Sequence, residues 1–298
     1  MKTLLGWVGK IVLGLVAAVV VVVLCLYGLG YGKLHRRPTN PVPAVTVPTD
    51  SLSLARGERL ALLLCATCHG AESQFPLSGG AQNFAQIPKG PNLGVLYAPN
   101  LMPGGILSRY SDGQLARAIR EGVGNDGRIF IVMPSPQFHS MSDEDLGAVI
   151  AYLRRQPPVA HEVPARNVNF LAHILLGAGV FDTALQPPLV APVPPVASDT
   201  TVAYGSYLTR LLACRDCHGT DLHGAPKNSL APHGTDLATL VPAHTPAEFS
   251  RALRQGIGFD GRPLDPTQMP WPQFSRLNDA ETRAIDFYLR SGLPAGAR

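Results

Sequence analysis

Cysteine and histidine occur together at two places in the sequence with the same short spacing. The first place reads CATCHG over residues 65–70, and the second reads CRDCHG over residues 214–219. Cys-x-x-Cys-His is typical of covalent haem attachment, because residues at i, i+3 and i+4 share one face of a helix. Two thiols can then bond to the porphyrin edge while the imidazole points at the iron. The residues expected to attach two haem c groups are Cys65, Cys68, Cys214 and Cys217, with His69 and His218 as iron ligands.

Two other arrangements of these cysteines are open. The two pairs could form a four-thiolate zinc site, or each pair could close a disulfide. A zinc ribbon usually separates its pairs by about 15–20 residues, whereas Cys68 and Cys214 are 146 positions apart. Each pair is also followed directly by histidine, which favours haem.

The sequence around the two motifs is duplicated as well. GERLALLLCATCHG at 57–70 parallels GSYLTRLLACRDCHG at 205–219, which has one additional residue. SDGQLARAIREGVGNDGR at 111–128 parallels TPAEFSRALRQGIGFDGR at 245–262. Both of the longer segments predict a polar N-cap, an amphipathic helix, a glycine stop and an Asp-Gly turn. The repeat indicates two helical domains of one kind.

The repeat continues through MPSPQFHSMSDEDLGAVIAYLR at 133–154 and MPWPQFSRLNDAETRAIDFYLR at 269–290. Each segment predicts a helix, capped by Ser142 in the first copy and by Asn278 in the second. An acidic residue follows each cap by three positions, as in a capping box.

Two methionines recur at the same place in this repeat. Met133 and Met269 each lie 19 residues before the tyrosine near the helix end, so we expect them to be the second axial ligands of the two irons. Met141 aligns with Leu277 and should pack at the helix start, and Met102 aligns with Ala238. Iron held by His and Met has no free coordination position, which favours electron transfer over reaction with a substrate.

An uncharged segment near the N-terminus is long enough to span a membrane. Ile11–Gly32 contains 22 residues without a charge, which at about 1.5 Å per residue gives roughly 33 Å. We interpret it as an uncleaved signal anchor, with cleavage near Ala44 as the alternative. Positive charges are nearly balanced across the segment, so they do not set its orientation.

The net charge of +4 comes from the N-terminal region. Residues 1–40 contain five Lys and Arg and no acid, which leaves 20 bases against 21 acids in the remainder. A chain of this kind does not suggest a nucleic-acid partner.

Two proline-rich tracts connect these parts. Leu34–Asp50 predicts a semi-rigid spacer that lets the haem domains reach partners away from the membrane. The interdomain tract encloses the apolar stretch NFLAHILLGAGVF at 169–181, which is too short to span a bilayer. We expect a short helix packed in the domain interface, and the alternative is a patch that docks on the membrane or on an integral partner.

Both copies resemble class I cytochrome c over roughly residues 50–160 and 200–295. The order of Cys-x-x-Cys-His, APNL at 98–101 and MP-x-P-x-F is similar to that of cytochrome c subunits of membrane-bound alcohol and gluconate dehydrogenases. Those subunits have three haem domains, whereas this chain has two. The resemblance implies an all-α fold and a backbone carbonyl that orients each histidine. It also implies N- and C-terminal helices that cross near Gly57 and Tyr152 and near Gly205 and Tyr288, and it offers the carbonyl of Pro91 or Pro99 for His69.

These observations predict an N-terminal transmembrane helix followed by two tandem class I cytochrome c domains. The expected parts are a signal anchor at 1–32, a spacer at 33–50, a first domain at 51–160, a linker at 161–198 and a second domain at 199–298. Because haem c is attached outside the bacterial inner membrane, the domains should lie on the periplasmic face.

The predicted function is that of an electron carrier and not of an enzyme. The chain would pass electrons between a dehydrogenase or quinol-oxidising complex and a terminal acceptor, with the N-terminal helix in the lipid bilayer. One alternative is the di-haem subunit of a haem-copper terminal oxidase. Another is a di-haem peroxidase, which is disfavoured because a peroxidase needs one iron that can open its sixth position.

Overall fold

The computed structural model describes residues 2–71, 74–80, 82–225 and 233–292. The chain is mostly helical, as expected, and begins with the helix α1, Lys2–His35. This helix contains the predicted uncharged segment, and by length and composition it is able to cross a membrane.

The first helical unit follows α1 and is built around the crossing of its first and last helices. At Gly57 in α2, a Cβ atom would lie only 2.0 Å from the carbonyl oxygen of Ala148 in α6, so the close crossing requires glycine. The expected crossing at Gly57 is confirmed. The helices of this unit are α2 (Ser51–Leu64), α3 (Ala66–His69), α4 (Asp112–Glu121), α5 (Ser135–Phe138) and α6 (Asp143–Arg154).

The chain between residues 160 and 200 contains one short helix and one strand. The helix α7 spans Phe170–Gly177, and β2 (Asn167–Val168) pairs antiparallel with β1 (Gly94–Val95) of the first unit. These two-residue strands are a small departure from the all-α expectation.

A second helical unit repeats the plan of the first. A Cβ atom at Gly205 would lie 1.9 Å from the carbonyl oxygen of Ala284, which confirms the second expected crossing. The helices of this unit are α8 (Val202–Leu211), α9 (Cys214–His218), α10 (Leu237–Leu240), α11 (Pro246–Gln255), α12 (Trp271–Phe274) and α13 (Asp279–Arg290).

The local signals of the repeat are present in both units. Capping boxes begin α4 and α11, and both helices end at a glycine with left-handed backbone, φ 68° at Gly122 and 67° at Gly256. The Asp-Gly turns that follow are closed by matching bonds, from the amide of Gly124 to the carbonyl of Arg128 (2.9 Å) and across the equivalent turn of the second unit (2.8 Å).

The last helices of the two units differ at their caps. Asn278 and Glu281 form a reciprocal capping box at α13. Ser142 accepts from the amide of Asp145 at α6, but the carboxylate of Asp145 binds Arg56 instead of returning to the cap. The predicted caps are therefore confirmed, and the reciprocal bond forms in the second unit.

The additional residue of the second copy is accommodated at Ala213. This residue joins α8 to α9 with φ 58°, a left-handed conformation in which an L side chain is strained. We expect Ala213→Gly to raise the free energy of unfolding by about 0.5–1 kcal/mol. Chemical denaturation checks this, with Ala203→Gly on the exposed face of α8 as a control that should lower stability by a similar amount. If both changes lowered the free energy of unfolding equally, the backbone at Ala213 would not be strained by its side chain.

The predicted spacer does not hold the first unit away from α1. Residues 36–50 contain no helix or strand, but they lie along the surface of the first unit. Asn40 is buried and donates to the carboxylate of Glu121 (2.6 Å), and the close approach of Thr46 to Gly147 leaves no room for a Cβ atom there. The prolines keep the segment extended while its polar groups bind the surface of the first unit. The expectation that this segment holds the domains at a distance from the membrane helix is therefore wrong.

The apolar stretch between the units forms a helix, as expected, but in a different place. Helix α7 packs against the end of α1 and not in the interface between the units. A Cβ atom at Gly30 would lie 1.8 Å from the carbonyl oxygen of His173, and one at Gly177 would lie 1.9 Å from that of Leu26. Small residues on both helices therefore permit a close crossing, which the apolar pattern alone did not locate.

The two units contact each other next to both Cys-x-x-Cys-His motifs. Gln137, four residues after Met133, donates to the carboxylate of Asp216 (2.5 Å) within the second motif. The equivalent Gln273 donates to the carbonyl oxygen of Leu63 (2.7 Å), two residues before the first motif. The short helix that follows each recurring methionine thus contacts the motif region of the other unit.

Polar side chains, most of them buried, lie at the middle of this interface. Arg56 donates from two guanidinium nitrogens to the two carboxylate oxygens of Asp145, and the hydroxyl of Tyr207 donates to the same carboxylate (2.7 Å). Arg59 and Glu281 form a second pair at 3.3 Å. Arg59 and Tyr207 both lie two residues after a crossing glycine, and Asp145 and Glu281 both lie three residues after a helix cap.

Equivalent residues meet at the centre of the interface. The guanidinium of Arg56 lies 5.9 Å from the ring centroid of Tyr204, and each residue directly precedes its crossing glycine. In an isologous interface, residue i of one unit contacts residue j of the other, and residue j of the first contacts residue i of the second. The contacts described above follow this pattern. The two units are therefore related by an approximate two-fold axis within one chain.

Candidate haem sites

His69 is held in one orientation by the backbone. It ends α3, is buried, and its Nδ1 lies 2.8 Å from the carbonyl oxygen of Pro99. Because a carbonyl only accepts, Nδ1 carries the proton and Nε2 is left with its lone pair, as a metal ligand requires. Burial lowers the pKa of His69, which favours the neutral ring. Of the two expected carbonyls, that of Pro99 is confirmed and that of Pro91 accepts from Ile87 instead.

His218 has the same arrangement in the second unit. Its Nδ1 lies 2.8 Å from the carbonyl oxygen of Thr235, and burial lowers the pKa of the ring. Sequence reasoning did not identify Thr235. The alignment that places Met102 opposite Ala238 also places Pro99 opposite Thr235, so the signal was present, but the second copy has no proline there.

The thiols of both motifs lie on one helical turn with their histidine. In the first motif the amides of Cys68 and His69 both donate to the carbonyl oxygen of Cys65, at 3.2 and 2.9 Å. None of the four motif cysteines is paired in a disulfide. Burial raises the pKa of the Cys65 thiol and that of the Cys214 thiol to about 12.

The zinc alternative finds no support in this geometry. A four-thiolate site needs both cysteine pairs around one ion. Within residues 2–71, 74–80, 82–225 and 233–292, no group of three or more His, Cys, Asp or Glu side chains could hold a metal ion.

The recurring methionines lie on matching loops. The carbonyl oxygen of Met133 accepts from the amide two residues later (2.8 Å), and that of Met269 does the same (2.7 Å). Both side chains are half-buried against the core, whereas Met141 and Met102 are fully buried. The expected packing role of Met141 is confirmed, because both it and Leu277 are buried directly before a helix cap. Iron ligation by the recurring pair stays a prediction.

Gly234 lies against His218 in the structure, and the sequence did not identify it as part of this site. A Cβ atom at Gly234 would lie 2.6 Å from Nδ1 of His218 and 2.7 Å from the carbonyl oxygen of Cys217. We expect Gly234→Ala to tilt the imidazole of His218, to lower the free energy of unfolding by about 1–3 kcal/mol and to change the visible spectrum of a haem attached at Cys214 and Cys217. Thermal unfolding and visible spectra of the haem-loaded chain check this, and an unchanged spectrum with unchanged stability would contradict the close contact.

Comparison with known proteins identifies the class of the first unit. Residues 54–157 match the family model of cytochrome c. A domain of this family carries covalently bound haem c, and the neutral, backbone-oriented His69 beside two thiols on one helical turn fits that group.

The chain is similar to several curated proteins. It is 36% identical over 122 residues to a nicotinate dehydrogenase subunit of Pseudomonas putida, covering 39% of this chain and 10% of that protein. It is 30% identical over 176 residues to the cytochrome c subunit of alcohol dehydrogenase (quinone) of Gluconobacter oxydans, covering 57% and 35%. It is 28% identical over 169 residues to the gluconate 2-dehydrogenase cytochrome c subunit of Pantoea cypripedii, covering 55% and 37%.

These matches define what is shown of the chain. It contains a cytochrome c domain and is homologous to cytochrome c subunits of dehydrogenases, which are electron-transfer components and not catalytic ones. The chain spans at most 37% of the length of these three relatives.

Proposed function

We propose that this chain is a membrane-anchored, periplasmic di-haem c-type cytochrome. It transfers electrons between a dehydrogenase or quinol-oxidising complex and a terminal acceptor. The observation that carries the proposal is the repeated histidine arrangement, in which His69 and His218 each follow a cysteine pair and each bond through Nδ1 to an equivalent backbone carbonyl.

The two sites use the same set of side chains. Bound haem c supplies one-electron redox chemistry at its iron. Cys65 and Cys68 would attach the first group and Cys214 and Cys217 the second. The first iron would be held by His69 and Met133, and the second by His218 and Met269. Thioether ligation would favour the reduced iron, and two protein ligands at each iron would leave no place there for a substrate.

The interface between the units supports direct electron exchange within the chain. Gln137 binds Asp216 inside the second motif, and Gln273 binds the carbonyl oxygen of Leu63 just before the first. Both motifs are therefore at the interface, on opposite sides of the approximate two-fold axis.

The membrane anchor and the similar proteins both support a role for this chain in a respiratory chain at the inner membrane. Helix α1 is long and apolar enough to cross the membrane once. Attachment of haem c outside the cytoplasm places the two units on the outer face of the inner membrane. Two of the relatives are subunits of alcohol dehydrogenase (quinone) and of gluconate 2-dehydrogenase, so a membrane-bound dehydrogenase is the proposed donor.

A redox titration of the haem-loaded full chain in detergent tests the carrier function. We expect two one-electron steps and no sustained turnover of hydrogen peroxide, because both irons have two protein ligands. Rapid peroxide turnover would contradict the carrier function and support the peroxidase alternative.

Copurification tests the proposed partner. The solubilised chain should be recovered with a dehydrogenase or a quinol-oxidising complex. Stoichiometric recovery with a haem-copper oxidase core would instead make it a component of that oxidase.

A further inference from the structure

A cavity of about 330 Å³ lies where α1 ends, and its lining is strongly basic. The lining arginines come from three separate segments: the end of α1, the Asp-Gly turn of the first unit and the residues before β2. The charged and titratable side chains that line it are His35, Arg36, Arg37, Arg128, Arg166 and His173.

Few carboxylates compensate these arginines. Arg128 pairs with Asp126 at 3.0 Å, and Arg37 donates to the backbone carbonyl of that same residue (2.7 Å). Arg166 donates to the carbonyl oxygen of Ile129 (2.5 Å), and burial together with the charge of Arg128 lowers its pKa. Four guanidinium groups near one carboxylate produce a positive field, and anionic oxygens are the ligands that such a group binds best.

An apolar cavity of about 210 Å³ adjoins the basic one. The two cavities share Leu34, Val168 and His173 in their linings. Ile87 and Val132 line the apolar cavity and are 39% and 44% exposed to solvent. Asp182 also lines the apolar cavity, and its carboxylate pairs with Lys33 at 3.7 Å. The combined space therefore has a cationic end and a mostly apolar end.

A buried histidine lies between the two ends with one ring nitrogen unpaired. His173 is 7% exposed, and its Nδ1 is 2.9 Å from the carbonyl oxygen of Asn169. Its Nε2 has no hydrogen-bond partner among the described residues. Because Nδ1 donates to that carbonyl, Nε2 is a buried acceptor, which is costly unless a donor such as a ligand hydroxyl or water binds it.

We propose that the adjoining cavities bind one anionic phospholipid. Its phosphate lies among Arg36, Arg128 and their neighbours, and the first part of an acyl chain lies in the apolar cavity. The inference rests on the proposed membrane anchor, because the end of α1 is then where the chain leaves the bilayer. A neutral quinol could fill the apolar cavity, but it has no charge to match the arginines.

Native mass spectrometry of the haem-loaded full chain in nanodiscs tests this site. The nanodiscs contain phosphatidylcholine alone or an equal mixture with phosphatidylglycerol. The variant Arg36→Gln/Arg128→Gln removes two charges from the cavity. Its control, Arg109→Gln/Arg262→Gln, removes two exposed charges elsewhere, and Arg262 pairs with Asp260 as Arg128 pairs with Asp126.

We expect the wild type and the control to retain one phosphatidylglycerol molecule and the cavity variant to lose at least tenfold in retention. Millimolar inorganic phosphate should not displace the lipid. Equal retention by the variant and the control, or equal retention of phosphatidylcholine, would overturn the proposal. Displacement by phosphate alone would also overturn it and would indicate a free-anion site.

Two further measurements separate this proposal from the proposed function. Visible spectra and redox titrations of the same samples should be unchanged by either double variant. Release of the chain from membranes by alkaline carbonate would contradict the anchor itself. A chain that stays in the membrane without lipid selectivity would contradict only the phospholipid site.

Discussion

Met133→Ala and Met269→Ala are each expected to abolish the sulfur-to-iron absorption band of one haem and to leave that of the other intact. Removal of the thioether also lowers the reduction potential, because this ligand favours the reduced iron. If the reduced form loses about a hundredfold in relative stability, the potential falls by about 120 mV for one electron. Visible spectroscopy and a redox titration of each single variant measure both effects.

The remaining methionines provide the controls for this prediction. Met141→Leu introduces the residue that the second copy already has, and Met102→Leu changes another buried methionine. Both should keep two sulfur-to-iron bands and unchanged potentials. If Met133→Ala or Met269→Ala retained its band, that residue would not be the ligand, and the assignment based on the repeat would fail.

Arg56→Met is expected to lower the free energy of unfolding by about 3–5 kcal/mol, the usual cost of breaking a buried ion pair on one side. The side chain of Asp145 is 2% exposed and would keep only the hydroxyl of Tyr207 as a side-chain partner. Burial alone would lower the pKa of Arg56, but the bond and charge of Asp145 outweigh it and raise that pKa. Denaturant unfolding followed by circular dichroism measures the loss.

Two variants show whether the loss comes from the buried charge. Arg56→Met/Asp145→Leu removes both charges and should recover most of the stability, because a well-packed apolar pair often replaces a buried ion pair at little cost. Arg254→Met breaks the more exposed pair with Asp279 and should cost less than about 1 kcal/mol. A loss below about 1 kcal/mol for Arg56→Met would mean that this ion pair between α2 and α6 does not stabilise the fold.

The features that the sequence predicted well are those with local causes. The caps of α4 and α11 and the glycines that end them depend on short spacings, and all are present in the structure. The two helix crossings are tertiary contacts that the resemblance to class I cytochrome c implied, and they are present as well. The repeat added information that one copy lacks, since it separated the recurring methionines from Met141 and Met102. The same alignment could have identified Thr235 as the residue whose carbonyl orients His218, although nothing about a threonine indicates that role.

The features that the sequence did not locate depend on tertiary packing. The apolar content of α7 predicted a buried face but not the surface that covers it, which is the end of α1. The prolines before residue 50 predicted an extended backbone, whereas the bond from Asn40 to Glu121 decides that the segment lies on the first unit. The approximate two-fold interface depends on side chains such as Arg56 and Tyr207. From the sequence alone, each of these could equally be an ordinary surface residue.

We propose that the chain carries two haems, one in each helical unit. Intact mass spectrometry of the chain, produced in cells that attach haem c, counts them. We predict the mass of the polypeptide plus two haem groups, with none of the four motif cysteines open to alkylation. A mass with one haem, together with alkylation of Cys214 and Cys217, would contradict the claim.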